Sequence, residues 1–362
     1  MNAFKLFEKI VCKLRIRHAY QYQDTLIRNS YNELSVKKKL TKEQKKEIQS
    51  FYKSMIGKKV TLICHEYFYS RTGIYSKKYI PKSLYHAELL PKANNMAYHD
   101  AYEDKNMIDV LAPNVKHPHT ILKRMNGYFY YENKPVSKQE AIDLCQNINY
   151  AIIKPVLSYS GKGIKGLEVN NGKTNINGMT IEQLFDTYGS DFQIQERLKQ
   201  HEKMNQLNAT SVNTLRILTY RSDMEILVIY SVVRIGRNGE VIDNQGAGGI
   251  STIIGEDGKL GKYAFGGYSD DKVEKTDSGT VLDGFEIPSY HKAIETVKQL
   301  HYQLPFFNLI GWDVAIDEEG DPVIIEWNSP QLSQSAFGPG FGKYTERIIK
   351  EIWPRKNTRY YY

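Results

Sequence analysis

The sequence has few cysteines, and none is placed as a metal site or a redox motif requires. The three cysteines, Cys12, Cys64 and Cys145, lie far apart and include no Cys-x-x-Cys pair. We therefore expect no disulfide framework, zinc finger or thiol redox centre, and the count favours a reducing compartment.

Long apolar segments are also missing. No run approaches the roughly 20 residues that a membrane-spanning helix needs, and Met1 is not followed by a signal-peptide core with a small-residue cleavage site. Hydrophobic residues make up 41% and charged residues 25%, which is typical of a globular chain with a substantial core. We expect a cytoplasmic protein, either free or peripheral at the inner face of the membrane.

The net charge of +8 comes entirely from the N-terminal part of the chain. Residues 1–59 contain 15 Lys and Arg against 5 Asp and Glu, so the remainder is slightly negative. No RNP-type aromatic motif, finger spacing or basic heptad region accompanies this charge. We therefore expect no nucleic acid partner.

Residues 1–59 are predicted to form a basic helical segment. Within residues 2–18, Phe4, Phe7, Val11 and Leu14 recur at helical spacing, and the basic residues fall largely on other faces. This helix can pack on the rest of the protein, or it can lie on an anionic membrane surface or a glycan-assembly partner. A second helix is predicted after a capping-box pattern at Thr41 and Gln44.

Residues 60–148 are predicted to form an N-terminal α/β lobe, in which the stretch 60–104 is a small mixed unit rich in Tyr, His and Pro. Two short patterns suggest a catalytic dyad or a metal site: Cys64 with His65, and His117 with His119. We assign neither, because adjacent strand residues point to opposite faces and a pair of histidines lacks a third nearby ligand.

From residue 149 onward, short apolar strands alternate with Gly, Asn and Asp, and helices are interspersed. This order favours an α+β domain with a mainly antiparallel sheet. Strands are predicted at 150–155, 166–169, 192–198, 215–220, 225–236, 310–317 and 322–327. Helices are predicted at 180–188 and 290–303.

A lysine strand and a glycine-rich loop form the first candidate site. The strand ends near Lys154, and the loop that follows contains Ser160, Gly161, Lys162 and Gly163. Glycines let backbone N–H groups converge on phosphate oxygens, and serine and lysine add donors and charge. The spacing is neither that of a P-loop nor that of a dinucleotide fingerprint, so it predicts a different triphosphate clamp or only a tight turn.

The second candidate site lies in a predicted β-hairpin over residues 310–328. Asp313, Glu326 and Asn328 are polar exceptions in apolar strands, and the last two share one face of their strand. Two carboxylates and an amide oxygen are hard ligands of the kind that Mg²⁺ takes. The alternative is the polar outer face of a half-exposed hairpin.

The order of these motifs resembles the ATP-grasp superfamily, and specifically the sugar-transfer-associated ATP-grasp proteins. The resemblance covers residues 40–340 and is carried by the lysine strand, the Gly-rich loop, Gln195-Glu-Arg-Leu198, Asn213-Thr-Leu-Arg216, Gly248-Gly249, Gly311-Trp-Asp313 and Glu326-Trp-Asn328. It implies an α+β ATP-grasp fold in which two subdomains clamp ATP. The catalytic domain would span 149–340, divided into a Gly-rich-loop part (149–200) and a metal-binding part (201–340), with a C-terminal helix and tail over 341–362.

The resemblance also implies roles for individual residues. The nucleotide would be held by two lysines, the Gly-rich loop, the hinge beside adenine and two residues of the Asn-Thr-Leu-Arg motif: Lys105, Lys154, Ser160, Gly161, Lys162, Gly163, Gln195, Glu196, Arg197, Leu198, Asn213 and Arg216. Asp313, Glu326 and Asn328 would hold one or two Mg²⁺ ions, with Mn²⁺ as a substitute. Arg216, Arg234 and Lys154 would be catalytic, with Arg216 facing the γ-phosphate and Arg234 lining the acceptor side.

ATP-grasp enzymes typically transfer the γ-phosphate to a carboxylate, and an amine, hydroxyl or thiol then attacks the acyl phosphate. The resemblance thus implies an ATP- and Mg²⁺-dependent carboxylate–amine ligase acting on a small-molecule carboxylate and an amine or glycan, as in surface-polysaccharide biosynthesis. Two alternatives remain. One is a kinase on the same scaffold, and the other is a non-catalytic membrane-associated scaffold that works through the basic N-terminus.

Overall fold

The computed structural model describes residues 3–156, 162–223, 225–240, 242–244, 246, 248–267, 272–330 and 332–359. Its helices are α1 (Ala3–Glu33), α2 (Lys42–Ile56), α3 (Ile63–Thr72), α4 (Lys82–Leu84), α5 (Leu90–Ala93), α6 (His99–Tyr102), α7 (Ile108–Leu111), α8 (Lys138–Leu144), α9 (Ile181–Tyr188), α10 (Glu202–Leu207), α11 (Tyr290–His301) and α12 (Thr345–Ile352). A π-helical turn over Tyr85–Leu89 joins α4 to α5.

The strands are β1 (Thr120–Met125), β2 (Tyr128–Tyr131), β3 (Lys134–Val136), β4 (Ile148–Pro155), β5 (Lys165–Asn170), β6 (Lys173–Thr174), β7 (Phe192–Glu196), β8 (Leu215–Ser222), β9 (Glu225–Ile235), β10 (Ile250–Ile254), β11 (Ala264–Phe265), β12 (Lys272–Val273), β13 (Leu309–Ile316) and β14 (Pro322–Asn328). They form two seven-stranded sheets. The first has the order β3-β2-β1-β7-β4-β5-β6, and the second has the order β12-β11-β10-β9-β8-β13-β14.

The first sheet has a hydrophobic core of its own. Leu122, Ile153 and Ile194 point from β1, β4 and β7 into a cluster that also contains Phe185 of α9. Because side chains alternate across a strand, Lys154 points to the opposite face. The apolar face of the first sheet is therefore covered by helices, and its polar face is turned toward the second sheet.

The second sheet separates its residues in the same way. Leu215 and Ile217 of β8 pack on the face that carries α11, whereas Leu218 packs on the other face with α2 and α12. Arg216 lies between Leu215 and Ile217 and so belongs to this second face. The N-terminal helices cover one end of that face, and its other end carries the charged residues described below.

The strands and helices predicted from residue 149 onward are confirmed, with ends that differ by a few residues. The predicted capping box is also present: Thr41 accepts from the Gln44 backbone N–H, and the Gln44 side chain accepts from Thr41. The first sheet extends across the predicted boundary at residue 149, because β1 pairs with β7.

The expectation of a mixed unit over 60–104 is wrong, since the regular elements of that stretch are helical. The apolar piece that begins at Val60 forms no strand. Its backbone is instead satisfied by a side chain: Val60 N–H donates to Gln49 Oε1 (3.1 Å), and Gln49 Nε2 donates to the Val60 carbonyl (2.8 Å). Within the described residues, no helix is long and apolar enough to cross a bilayer.

Candidate active site

A row of charged residues crosses the second sheet. Asp313 on β13 lies directly opposite Arg216 on β8 and directly opposite Glu326 on β14. A register shift follows Asp313 in the β13 and β14 pair. The predicted metal ligands Asp313 and Glu326 are therefore cross-strand neighbours on the face turned away from α11.

Two arginines neutralise Asp313. Arg216 binds its carboxylate with two donors, Nε to Oδ1 and Nη2 to Oδ2 (2.7 Å), and Arg234 Nη1 adds a contact to Oδ2 at 3.1 Å. Burial by itself would raise the pKa of Asp313, but the two guanidinium groups hold this pKa at about 2. Asp313 is thus an anion at neutral pH although only 3% of its surface is exposed.

The third predicted ligand belongs to the same network. Arg216 Nη1 donates to Asn328 Oδ1 at 3.1 Å, so one guanidinium connects Asp313 and Asn328. Gly311 lies opposite Asn328, and a Cβ atom there would stand 3.3 Å from both Arg216 Nη1 and Asn328 Oδ1. The glycine of the Gly-Trp-Asp motif therefore leaves the space that this contact needs.

Lys105 lies between the two sheets, in the region that we call the cleft. Its Nζ lies 3.4 Å from Glu326 Oε2 and donates to the carbonyl of Val156, just after β4, at 3.2 Å. Tyr102 and Glu103, shortly before Lys105, anchor this segment to the end of β14. Trp327 Nε1 donates to the Tyr102 carbonyl at 2.8 Å, and Glu103 accepts from the Ser329 N–H. Lys105 is in this way held between the two sheets.

Glu103 was missed as a site residue by the sequence reasoning. Its side chain is largely buried and lies 3.2 Å from His99 Nε2. Burial raises the pKa of Glu103, with His99 opposing the shift. Glu103 is also near enough to Glu326 for the charge of Glu326 to raise its pKa. The only sequence signal for Glu103 was its position two residues before Lys105. Its contact with Ser329 joins parts of the chain that are 226 residues apart, and so no local pattern indicates it.

Lys154 lies buried on the polar face of the first sheet, where 5% of its surface is exposed. Burial lowers its pKa to about 8; Lys105 pushes in the same direction and Glu326 opposes them. Lys154, Lys105 and Glu326 are thus close enough to influence one another electrostatically. A buried lysine of lowered pKa in a cleft is a group that gains from an anionic ligand.

A second missed residue lies beside Lys154. Gln193 of β7 is opposite Lys154 and Lys123 on the neighbouring strands and is fully buried. Neither its amide oxygen nor its amide nitrogen has a hydrogen-bond partner among the described residues. Lys123 is different, because its Nζ contacts the Asn106 carbonyl (2.9 Å) and both oxygens of Asp109.

The predicted hinge, Glu196 to Leu198, and the neighbouring Gln195 lie where β7 leaves the first sheet. Gln195 Nε2 donates to Thr120 Oγ1 (3.1 Å), and Glu196 pairs with His119 (3.4 Å). The Arg197 guanidinium lies over the Tyr150 ring at 4.5 Å, and Leu198 is half-buried. The residues do connect the two sheets, and their contact with adenine stays a prediction.

Asn213 is buried in a network within its own part of the fold. Its amide nitrogen donates to the carbonyls of Met204 (2.9 Å) and Asn208 (2.7 Å) and to Gln200 Oε1 (3.2 Å). These bonds tie the start of β8 to α10. They place Asn213 as a support for the strand that carries Arg216, and a nucleotide contact by its side chain stays a prediction.

The Gly-rich loop is described only in part. Ser160 and Gly161 lie outside the described residues, whereas Lys162 is exposed and Gly163 has a φ of +82°. A Cβ atom on Gly163 would come within 2.8 Å of Pro155. The Gly163 carbonyl accepts from the Tyr188 hydroxyl at 2.9 Å. Glycine is therefore required at this position by both conformation and space.

The charge of Arg234 also acts on Asp243, an acid that the sequence did not indicate. Asp243 is half-buried and accepts from the Thr214 N–H at 2.8 Å; burial raises the pKa of Asp243, while Arg234 opposes the shift. Tyr230, buried near Arg216 and Arg234, stacks on Phe337 with ring centroids 3.8 Å apart. These groups lie next to the row of charged residues on the second sheet.

The donor set fits a divalent cation. Asp313 and Glu326 lie directly opposite each other on adjacent strands, an arrangement of two acids that a shared cation stabilises. A carboxylate offers about four acceptor sites, and the arginines use three on Asp313, which leaves one on Oδ1. Glu326 and Asn328 supply further oxygens, so Asp313, Glu326 and Asn328 together match the hard ligands of Mg²⁺.

A sequence model of the family described as sugar-transfer associated ATP-grasp matches residues 84–347. No curated protein matches the sequence. The chain is similar to the solved ATP-grasp ligase PsnB, complexed with precursor peptide PsnA2 and AMPPNP, at 12% identity and a TM-score of 0.41. It is also similar to D-alanine–D-alanine ligase from Bacillus anthracis, at 12% identity and a TM-score of 0.39.

These likenesses cover 72% of this chain and 63% of PsnB, and 70% of this chain and 67% of the D-alanine–D-alanine ligase. The chain therefore spans less than two thirds of PsnB. Similarity at this level transfers no substrate to the present protein.

Proposed function

Because the chain belongs to the sugar-transfer associated ATP-grasp family, we propose that it is an ATP- and Mg²⁺-dependent ligase that joins a carboxylate to an amine or another nucleophile. The acid would be a sugar acid or an amino acid, and the product a decorated glycan of the bacterial cell surface. The family description, which refers to sugar transfer, supports this choice of substrate class.

The observation that carries the proposal is the cross-strand row with its lysines. Asp313 and Glu326 face each other, Asn328 shares their network, and Lys105 spans the cleft from Glu326 to Val156. Anionic ligands on one side and cationic side chains on the other suit a nucleotide triphosphate with its metal ion. A polar hairpin face with no ligand would not need one buried and one half-buried arginine against a buried aspartate.

Asp313, Glu326 and Asn328 would hold Mg²⁺. When bound, this ion would neutralise charge on the phosphates and orient the γ-phosphate. Lys154, on the first sheet, and Lys105, between the two sheets, would bind phosphate oxygens, and Arg216 would remain fixed by Asp313 so that its guanidinium faces the developing charge. Positioning and charge neutralisation are sufficient for phosphoryl transfer, and no side-chain nucleophile is required.

In the proposed reaction, a carboxylate oxygen of the substrate attacks the γ-phosphorus and the bond to the β,γ-bridging oxygen breaks, which releases ADP. The amine then attacks the carbonyl carbon of the acyl phosphate and inorganic phosphate leaves. Arg234 and the half-buried Asp243 would line the acceptor side, where Arg234 suits a substrate carboxylate.

Hydroxylamine trapping tests the proposal. Sugar acids, nucleotide-sugar acids and amino acids are screened with ATP, Mg²⁺ and hydroxylamine, and a ligase gives ADP together with a hydroxamate of its acid. A stable phosphoester without hydroxamate would identify a kinase. Absence of ADP formation with every acid, together with wild-type cellular function of Asp313→Asn and Glu326→Gln, would favour a non-catalytic scaffold.

A further inference from the structure

Helix α1 has a buried face that packs on the rest of the protein. Ile27, Tyr31 and Leu34, at and just beyond its C-terminal end, are buried in a cluster with Tyr67 and Phe68 of α3. In its N-terminal half Cys12 is buried, with 7% exposed. Contacts of α1 with α3, α4 and the turn over Tyr85–Leu89 attach the helix to the protein.

A second apolar face lies in the N-terminal half of α1 and points to solvent. Leu6, Phe7, Ile10 and Leu14 are 48%, 64%, 50% and 59% exposed. At 3.6 residues per turn these four side chains fall within an arc of about 100°, centred nearly opposite Cys12. We call them the apolar stripe of α1. Single exposed apolar residues are ordinary, but four on one helical face form a contact surface.

Basic side chains border the apolar stripe. Lys9, Lys13, Arg15 and Arg17 are all exposed, and Glu8 is the only acid between residues 6 and 23. Lys9 and Lys13 lie along one side of the stripe, and Arg15 lies on the other. A shallow surface depression beside Leu14 is lined by Arg15, His18 and Ala19, which adds further basic groups at the edge of the stripe.

We propose that the N-terminal half of α1 binds the surface of an anionic phospholipid bilayer. The apolar stripe inserts at the boundary between headgroups and acyl chains, and the lysines and arginines at its edges contact lipid phosphates. The opposite, buried face keeps the helix attached to the protein, so the enzyme is held at the membrane surface without a spanning segment.

Charge and length argue against a second copy of the chain as the occupant. A symmetric helix pair through the stripe would bring Lys9 and Lys13 close to the same residues of the partner, where like charges repel. The stripe from Leu6 to Leu14 is only about 12 Å long, which is shorter than a stable coiled-coil seam. Nucleic acid would engage the basic residues but leave the four apolar side chains exposed.

Vesicle flotation of the full-length protein tests the proposal. We expect binding to vesicles of phosphatidylcholine with phosphatidylglycerol, little binding to phosphatidylcholine alone, and weaker binding as sodium chloride is raised. Phe7→Ser with Ile10→Ser, and separately Lys9→Glu with Lys13→Glu, should each lower the partition coefficient by roughly tenfold or more.

Matched controls are available elsewhere on the surface. Ile74→Ser with Val281→Ser removes two apolar side chains that are 58% and 51% exposed, and Lys134→Glu with Lys173→Glu makes the same charge change on the first sheet. Both controls should bind vesicles like the parent. Unchanged thermal unfolding of the α1 variants would exclude loss of fold as the cause of weaker binding.

Three results would overturn the proposal. These are no binding to anionic vesicles, equal binding of parent and stripe variants, and a stripe-dependent dimer in sedimentation that does not bind vesicles. Binding of RNA by the parent, without vesicle binding, would assign the basic residues to nucleic acid instead. ADP release with soluble substrates should be the same in the parent and the stripe variants, so failure here is distinguishable from failure of the proposed ligase activity.

Discussion

The two sheets hold the charges of the site in different ways. On the second sheet, Asp313 is bound by Arg216 and Arg234, and Arg216 also holds Asn328. On the first sheet, Lys154 is buried with a pKa lowered to about 8, and no described residue forms an ion pair with it. The charged groups of the second sheet are paired with one another before any ligand binds, whereas Lys154 on the first sheet is not.

This difference indicates a division of labour. The arginines and the proposed metal ligands Asp313 and Asn328 hold one another in a fixed geometry. The lysine instead carries an unfavourable desolvation free energy of roughly 3 kcal/mol at neutral pH, which an anionic ligand can remove. The second sheet should therefore determine turnover, and the first sheet should determine how tightly nucleotide binds.

The largest effect is expected for Asp313→Asn. The change removes a metal ligand and leaves Arg216 buried without its counter-charge, so turnover should fall at least about a thousandfold and unfolding free energy by about 3 kcal/mol. ADP release and urea unfolding measure the two effects. Glu319→Gln, in the exposed turn of the same hairpin, is the control, and parent-like turnover of Asp313→Asn would contradict the site.

Lys154→Met should weaken ATP binding by roughly a hundredfold, measured by calorimetry, while making the ligand-free protein more stable at pH 7. The lowered pKa of Lys154 determines how the stability difference between parent and variant changes with pH. Between about pH 8 and pH 10.5 the unfolded chain keeps the lysine proton and the folded chain loses it, so the parent gains stability relative to the variant as the pH rises.

The matched control is Lys173→Met, an exposed lysine of the same sheet, which should bind ATP like the parent. A stability difference between parent and Lys154→Met that does not change across this pH range would show that Lys154 is not charged and buried as described.

Gly311→Ala tests whether the locked geometry matters. The added methyl would lie 3.3 Å from Arg216 Nη1 and from Asn328 Oδ1, and 3.1 Å from Pro330. We expect about tenfold slower turnover and a higher Mg²⁺ concentration for half-maximal activity, because Asn328 must shift. An unchanged Mg²⁺ requirement would mean that the network tolerates this displacement.

The smallest effect is expected for Glu103→Gln. Glutamine can still accept from the Ser329 N–H, but it loses the charge that pairs with His99, so the segment carrying Lys105 should loosen slightly. The KM for ATP should rise about threefold with little change in kcat. Asp100→Asn, which also alters a partner of His99 but lies exposed, should leave both constants unchanged.

Local patterns predicted the second half of the fold well. The apolar strands with polar exceptions at Asp313, Glu326 and Asn328 gave both the hairpin and its candidate ligands. The shift in register after Asp313 could not be predicted, although it helps to bring Asp313 opposite Glu326. Sequence periodicity does not reveal where a strand carries one extra residue.

Strands β1 to β3 were missed because they are short, at six, four and three residues, and because β1 contains lysine and arginine and β3 contains lysine. The Asn126-Gly127 pair was a local sequence signal for a tight hairpin turn. Both residues have the positive φ that such a turn requires. Glu103 and Gln193 were missed for another reason. Their environments come from segments distant in sequence, and no pattern near either residue records those contacts.

The first sheet is inserted as one continuous piece, residues 120–196, with its own apolar core. The chain enters and leaves it side by side: the Glu196 N–H donates to the His119 carbonyl at 2.9 Å, and beyond these residues the Lys116 and Lys199 carbonyls accept from Ile324 and Glu318. Because the chain enters and leaves at one edge, a change of sequence or length within residues 120–196 need not alter the path of the chain in the rest of the protein.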